Sequence, residues 1–157
     1  MRQRYTFTKT EKLKSRKRID WVFKEGKSLS VFPFKVFYLL APSPAVPLPP
    51  QAPSLLPATP RAGPAIPSTH SASSPAPLQA GFGAGSRHFK KAVDRNRIKR
   101  LSREAYRLQK QPLVDVLAEK KCSMALFFIY TGKQLPDHDT VKAKIGVLLQ
   151  QLIKQVK

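Results

Sequence analysis

The sequence predicts an α+β fold in which helices pack on a small sheet as a two-layer α-β sandwich. Three observations carry that prediction. Phe32 to Ala41 is rich in aromatic and β-branched residues, and Ser123 to Thr131 is almost wholly apolar, so both have strand character. Two other stretches, over Lys91–Gln109 and at the C-terminus, repeat apolar residues at helical spacing. The chain has 157 residues, enough for one domain and too few for two ordinary ones.

Taken in order, Lys17 to Lys24 spaces Ile19, Val22 and Phe23 as a helix does, and Gly26 is its natural stop. The strand Phe32–Ala41 follows, with Phe34, Val36 and Tyr38 on one face and Lys35 and Phe37 on the other. From Pro42 to Gln79 the composition changes abruptly. Here lie 12 of the 15 prolines, one charge (Arg61) and no aromatic residue. Proline fixes φ and removes a backbone donor, so at this density neither a helix nor a sheet interior forms. Residues 42–79 therefore read as a disordered insertion within a single domain spanning 1–157. Its P-x-P-P run, Pro47 to Pro50, is a docking-like feature, yet no basic or aromatic cluster accompanies it, and an expanded loop is the simpler reading. Gln79 to Ser86 is a short strand or bulge weakened by Gly81, Gly83 and Gly85. Lys91 to Gln109 is a long helix, ended by the Gln111-Pro112 boundary. Ser123–Thr131, bounded by Gly132, is a buried strand. Val141, Ile145, Leu148, Leu149 and Leu152 then mark one face of a last helix, with Asp137 or Asp139 as its cap.

Charge narrows the partners. The chain has 29 Lys and Arg against 9 Asp and Glu, a net charge of +20. A compact domain with that excess repels itself unless a polyanion supplies counter-charge. Nucleic acid comes first and an anionic membrane second. The longest apolar run, Met124 to Tyr130, is far short of the roughly 20 residues a membrane-spanning helix needs. Met1 to Tyr5 is basic and lacks the apolar core of a signal peptide. A lone Cys122 cannot form an internal disulfide and suits a reducing cytoplasm, where it serves as a small core residue.

The chemistry is concentrated in residues 90–107. At about 100° per residue, Ile98, Leu101, Ala105 and Leu108 fall on one stripe of the helix. The opposite arc collects Arg95, Asn96, Lys99, Arg100, Arg103 and Arg107, while Arg97 and Glu104 flank the apolar stripe. No acid is expected to interrupt the arc. A helix that only needed solubility would mix signs, because i,i+4 Glu–Lys pairs stabilise it and like charges do not. Arginine outnumbers lysine on this helix. Its planar guanidinium can hold two phosphate oxygens or stack on a base. The amide of Asn96 can bond a base edge or a 2′-hydroxyl.

Arg95-Asn96-Arg97, followed by Ile98-Lys99-Arg100-Leu101 and Arg103-Glu104-Ala105, closely resembles the RNR signature of the bacterial ribonuclease P protein family. Gly85 to Val93, including Arg87 and Lys91, is similar to that family's strand exit and helix entry, and Leu13, Ile19 and Val22 to Ser28 to its first helix and turn. The resemblance implies a sandwich with a left-handed βαβ crossover, of the kind seen in the second domain of ribosomal protein S5, against the usual right-handed rule. It implies that the basic helix, with Arg87 and Lys91, contacts a catalytic RNA. It further implies that a cleft between the first helix and the sheet, lined by Ile19, Phe23, Lys35 and Phe37, holds the 5′ leader of precursor tRNA. Hydrolysis of the leader then belongs to an RNA that uses Mg²⁺, and no obligate protein partner is implied. Ile19 departs from the family, which often has an aromatic there, and the three glycines stand where a β-rich strand is expected.

The residues themselves offer no protein catalyst. A protein nuclease needs clustered carboxylates or a His pair. Asp137-His138-Asp139 is the one acidic cluster and sits where a helix cap is expected. His70 lies in the insertion, and His88 beside Phe89 has no evident partner. Gly81 to Gly85 lacks the Gly-Lys-Ser/Thr of a phosphate loop and the later spacing of a dinucleotide fingerprint. Three other readings stay open: a structural RNA-binder of ribosomal type, a DNA-binding module with its helix in a major groove, and a membrane-surface protein. The second wants a compact helical domain. The third wants bulky apolar residues opposite the basic arc.

Overall fold

A computed structural model describes residues 6–41 and 76–156. Residues 1–5, 42–75 and 157 lie outside the described residues, and with them the basic start of the chain, the P-x-P-P run, His70 and nearly all of the Pro-rich stretch. The elements are α1 (Arg16–Glu25), β1 (Lys27–Val31), β2 (Phe34–Ala41), β3 (Leu78–Ala84), α2 (Ala92–Gln109), α3 (Gln111–Glu119), β4 (Ser123–Tyr130) and α4 (His138–Val156). Among the described residues no helix is long and apolar enough to cross a membrane.

The four strands form one sheet in the order β1-β2-β4-β3. β1 and β4 each pair antiparallel with β2, whereas β3 runs parallel to β4. The parallel pair is joined through α2 and α3, as parallel strands require a long crossover. Phe34, Val36 and Tyr38, Leu78 and Ala80, and Met124, Leu126 and Phe128 bury one sheet face in a single core with α2, α3 and α4. Each fully buried side chain of that size contributes about 1.5–3 kcal/mol. Among the described residues, α1 and Leu13 just before it cover the other face, packing Val22 against Ala125. Phe37, Leu39 and Phe127 on this face are only partly buried among the described residues.

Four boundaries differ from expectation. β1 was hidden because Lys27–Val31 is a mostly exposed edge strand with polar residues interleaved. The strand expected from Phe32 starts at Phe34, since the Phe32-Pro33 peptide, which is cis, forms the hairpin turn. α2 ends at Gln109 as expected, but Pro112 does not keep the chain beyond it from being helical. Instead it occupies the first turn of α3, where its missing N–H costs nothing. The glycine-rich stretch is a regular strand fully paired with β4 and not a bulge, and it starts at Leu78, inside the expected insertion. Cys122 is half-buried at the core's periphery, its Sγ 3.2 Å from the Lys120 carbonyl.

The N-terminal segment is strapped along β3. The Ala80 N–H donates to the Glu11 carbonyl at 2.8 Å, and the Leu13 N–H donates to the Ala80 carbonyl at 3.0 Å. Phe7 packs edge-on against Phe82 and Tyr106, with centroids 6.1 and 5.7 Å away. The buried Lys110 Nζ donates to the Thr6 carbonyl at 2.6 Å and pairs with the Glu11 carboxylate. A buried ion is tolerated only with partners of this kind.

Candidate nucleic-acid interface

On α2 the sequence's two arcs become two faces. Ile98, Ala105 and Tyr106 are fully buried, and Ser102 returns its hydroxyl to the Ile98 carbonyl at 2.8 Å. Asn96, Arg97, Arg100 and Arg103 are exposed and Lys99 is half-exposed. Arg87 is exposed in the turn between β3 and α2, and the exposed Lys91 is the cap residue just before α2. Neither Arg100 nor Arg103 makes an ion pair with the described residues.

Two members of the expected arc are committed elsewhere. Arg95 is half-buried and its Nη1 donates to the carbonyls of Phe89, at 2.8 Å, and Lys90, at 2.6 Å. Its guanidinium therefore ties the turn before α2 to the helix. Glu104, expected merely to flank the apolar stripe, takes Arg107 Nε at 3.0 Å and Nη2 at 2.6 Å. An acid does interrupt the arc. The fork-shaped contact with Arg107 holds the Glu104 carboxyl below its usual range and raises Arg107.

The second site lies on the α1 side of the sheet. Phe23 of α1 meets Phe37 of β2 and Phe127 of β4 edge to face, with centroids 4.8 and 5.1 Å apart. All three rings are half-exposed, and Lys35 Nζ lies 5.0 Å from the Phe37 centroid. Ile19 packs against the adjoining cluster of Leu13, Val22 and Ala125. The four residues Ile19, Phe23, Lys35 and Phe37 thus lie together, each part-exposed, on the α1 side of the sheet. Phe127 belongs with them and was missed, because its almost wholly apolar strand reads as buried on both faces. Only the pairing of Phe37 with Phe127 places both on the α1 side.

The same ring accounts for the glycines. Gly81 pairs with Phe127, and a Cβ added there would lie 2.6 Å from Phe127 Cδ2. At Gly83 it would lie 3.1 Å from Phe127 Cε1. The ring lies across β3, so the strand that departs from a β-rich pattern does so to let an aromatic floor form.

Among the described residues no three His, Cys, Asp or Glu side chains come together as a metal-binding group. Asp137 is at the start of α4, its carbonyl accepting from the Val141 N–H at 3.0 Å, and Asp139 lies in the first turn. His88 is exposed. The arrangement offers cations, amides and half-open rings, which suit a polyanion with aromatic bases.

A family model described as Ribonuclease P matches residues 7–152. The ribonuclease P protein component of Porphyromonas gingivalis, in each of two strains, is 33% identical over 138 residues, covering 88% of this chain and 80% of that protein. The protein of the same name from Chlorobaculum tepidum is 37% identical over 83 residues, 49% of this chain and 54% of that protein. Among solved structures, the Staphylococcus aureus RNase P protein aligns with a TM-score of 0.55 over 90% of this chain and 94% of that one. At 13% identity this is a likeness of fold.

Proposed function

The chain belongs to the ribonuclease P protein family, and from that premise we propose that it binds a catalytic RNA through α2 and the 5′ leader of precursor tRNA in the aromatic cleft. The observation that carries the reading is the cluster of Phe23, Phe37 and Phe127 with Lys35 at its side, whose rings stay part-exposed on the α1 side of the sheet. Leaders differ in sequence. Aromatic faces and a lysine accept any base and any phosphate, at about 1–3 kcal/mol per stacked base. The exposed Asn96, Arg97, Arg100 and Arg103, with Arg87, Lys91 and Lys99, supply the separate surface for the catalytic RNA.

In this reading the protein supplies binding and the RNA supplies the chemistry, endonucleolytic hydrolysis that leaves the mature tRNA 5′ end. Mg²⁺ enters as the RNA's ion. The chain's contribution is electrostatic and positional. Its +20 charge lets two polyanions approach, and the cleft fixes the leader so that the scissile bond is presented in register. The same reading places the protein in the cytoplasm with its RNA.

The test is precursor-tRNA cleavage by the cognate catalytic RNA at low Mg²⁺, with and without the protein, on substrates with full and truncated leaders. Cleavage that depends on protein, with a smaller gain for the truncated leader, is the expected result. Tight RNA binding that never changes cleavage would replace this reading with a structural RNA-binder of ribosomal type.

A further inference from the structure

The strap and the basic helix meet at a notch of about 470 Å³ that neither element could form alone. Phe7 and Lys12 line it from the strap, and Arg100, Leu101, Arg103 and Arg107 from α2. Glu104 is its one acid, and that carboxylate is already held by Arg107 at two points. Lys12, Arg100 and Arg103 make no ion pair with the described residues. Phe7 and Leu101 give the notch an apolar floor, and Lys12 Nζ stands 5.8 Å from the Phe7 centroid. Three cations without counter-ions over an apolar floor form an anion site, since a low-dielectric wall strengthens the field of fixed charges.

We infer that this notch receives an RNA backbone phosphate, held jointly by Lys12, Arg100 and Arg103, and that the strap is therefore an RNA-binding element of the protein. The inference deepens the proposed function and rests on it. Arg100 and Arg103 lie one turn apart on α2, and Lys12 lines the same notch from the strap. A phosphate between them carries one negative charge into a field of several positive ones. The strap's position is set independently of any ligand. Lys110 holds Thr6 and Glu11, and the Glu11–Ala80 and Leu13–Ala80 bonds fix the backbone on either side of Lys12. Lys12 is thus presented by a rigid segment, which spares the entropy of ordering it when RNA binds.

The experiment measures the salt dependence of binding for the full chain, in one arm to the catalytic RNA alone and in another to precursor tRNA by the preassembled holoenzyme. Lys12→Ala is expected to weaken binding about fivefold in one arm and to lower its salt slope by about 0.7. The arm that responds names the RNA whose phosphate is held. Lys14→Ala, an exposed lysine of the same segment outside the notch, should leave the slope within error in both arms. A double-mutant cycle reads the shared phosphate directly. Lys12→Ala and Arg100→Ala together should cost clearly less than the product of the single losses, because either one already loosens the same contact. Thermal melts of all variants should match, since Lys12 makes no ion pair on which the fold depends. Unchanged slopes for Lys12→Ala in both arms, or a cycle in which the two losses multiply, would overturn the notch while leaving the proposed function intact. Failure of the wild-type chain to bind either RNA would overturn both.

Discussion

Phe127 fixes what neighbouring residues can be. Its ring covers β3 at Gly81 and Gly83 and takes the edge of Phe23, so it is held on two sides. A methyl group at Gly81 would press within 2.6 Å of it, one at Gly83 within 3.1 Å, and one at Gly85 would meet nothing within 4 Å. Alanine substitutions should therefore rank Gly81, Gly83, Gly85 in falling cost. Gly81→Ala should cost about 1–3 kcal/mol by overpacking, in urea denaturation. Adding Phe127→Leu should return much of that loss, and if it does not, the ring is not what excludes the side chain. Tyr106 makes a different prediction. Its hydroxyl is fully buried with no hydrogen-bond partner among the described residues, and burial, with Glu11 adding to it, pushes the phenol well above its ordinary 10.0. Tyr106→Phe should then raise stability by about 1 kcal/mol near neutral pH, as an unmet buried hydroxyl is removed. The sign of the pH effect follows from linkage. Above about pH 10 the unfolded chain releases the phenol proton while the folded chain keeps it, so wild-type stability falls as pH rises. That part of the alkaline loss should be absent in Tyr106→Phe, and the burial of Tyr130, whose phenol is also raised, should remain. Identical alkaline profiles for both proteins would mean that Tyr106 is not the group that titrates.

At the scale of one element, α2 shows which part of a site a sequence can display. Its helical period and its one-sided charge are local properties, and Asn96, Arg100 and Arg103 emerge on the exposed face as expected, while Arg97, expected to flank the apolar stripe, is exposed with them. Arg95 and Arg107 lie on the same arc by periodicity, yet their guanidinium groups are spoken for by the Phe89 and Lys90 carbonyls and by Glu104. Side-chain reach decides this, and periodicity is blind to it. The other elements missed have equally physical reasons: β1 is too polar to alternate, and α3 opens with a proline that reads as a stop. The distinction within α2 can be measured. Arg100→Ala plus Arg103→Ala should lower the salt slope of RNA binding by at least about 0.7, the loss for the one single-strand phosphate they share with Lys12. Arg95→Ala should instead lower the melting temperature, because two carbonyls lose their donor, and should change the slope by less than either single arginine of the exposed pair. A slope loss at Arg95 equal to that at Arg100, with an unchanged melt, would return Arg95 to the phosphate-binding surface.

Across the whole molecule, the sheet order explains why a long Pro-rich stretch can sit inside one small domain. Ala41, the last residue of β2, lies opposite Ser123, and Leu78, the first of β3, lies opposite Met124. β2 and β3 flank β4, so the two ends of the stretch stand about two strand spacings, or roughly 10 Å, apart. No feature of the sequence states this distance, because it depends on β4, which arrives more than forty residues later. The composition change puts the end of the stretch at Gln79, but β3 already begins at Leu78. Leu78 is buried in the core, Gln79 is buried between Arg18 and the Thr10 carbonyl, and the Pro77 carbonyl accepts from the Met124 N–H at 2.8 Å. A deletion reaching Leu78 would remove a core residue and the first rung of the parallel ladder. Replacing residues 43–75 with about six Gly and Ser residues spans the gap and leaves every described contact in place. A loop shortened about fivefold closes with less entropy lost, which should add about 1.5 kcal/mol to stability. The shortened protein should also keep its salt slope for RNA and its stimulation of precursor cleavage, since both proposed RNA surfaces lie outside residues 43–75. Stability that rises while cleavage is lost would give the Pro-rich stretch a role in the assembled enzyme. Stability that falls would mean that residues 43–75 pack against the domain, and that the sheet's open end is not where its folding unit ends.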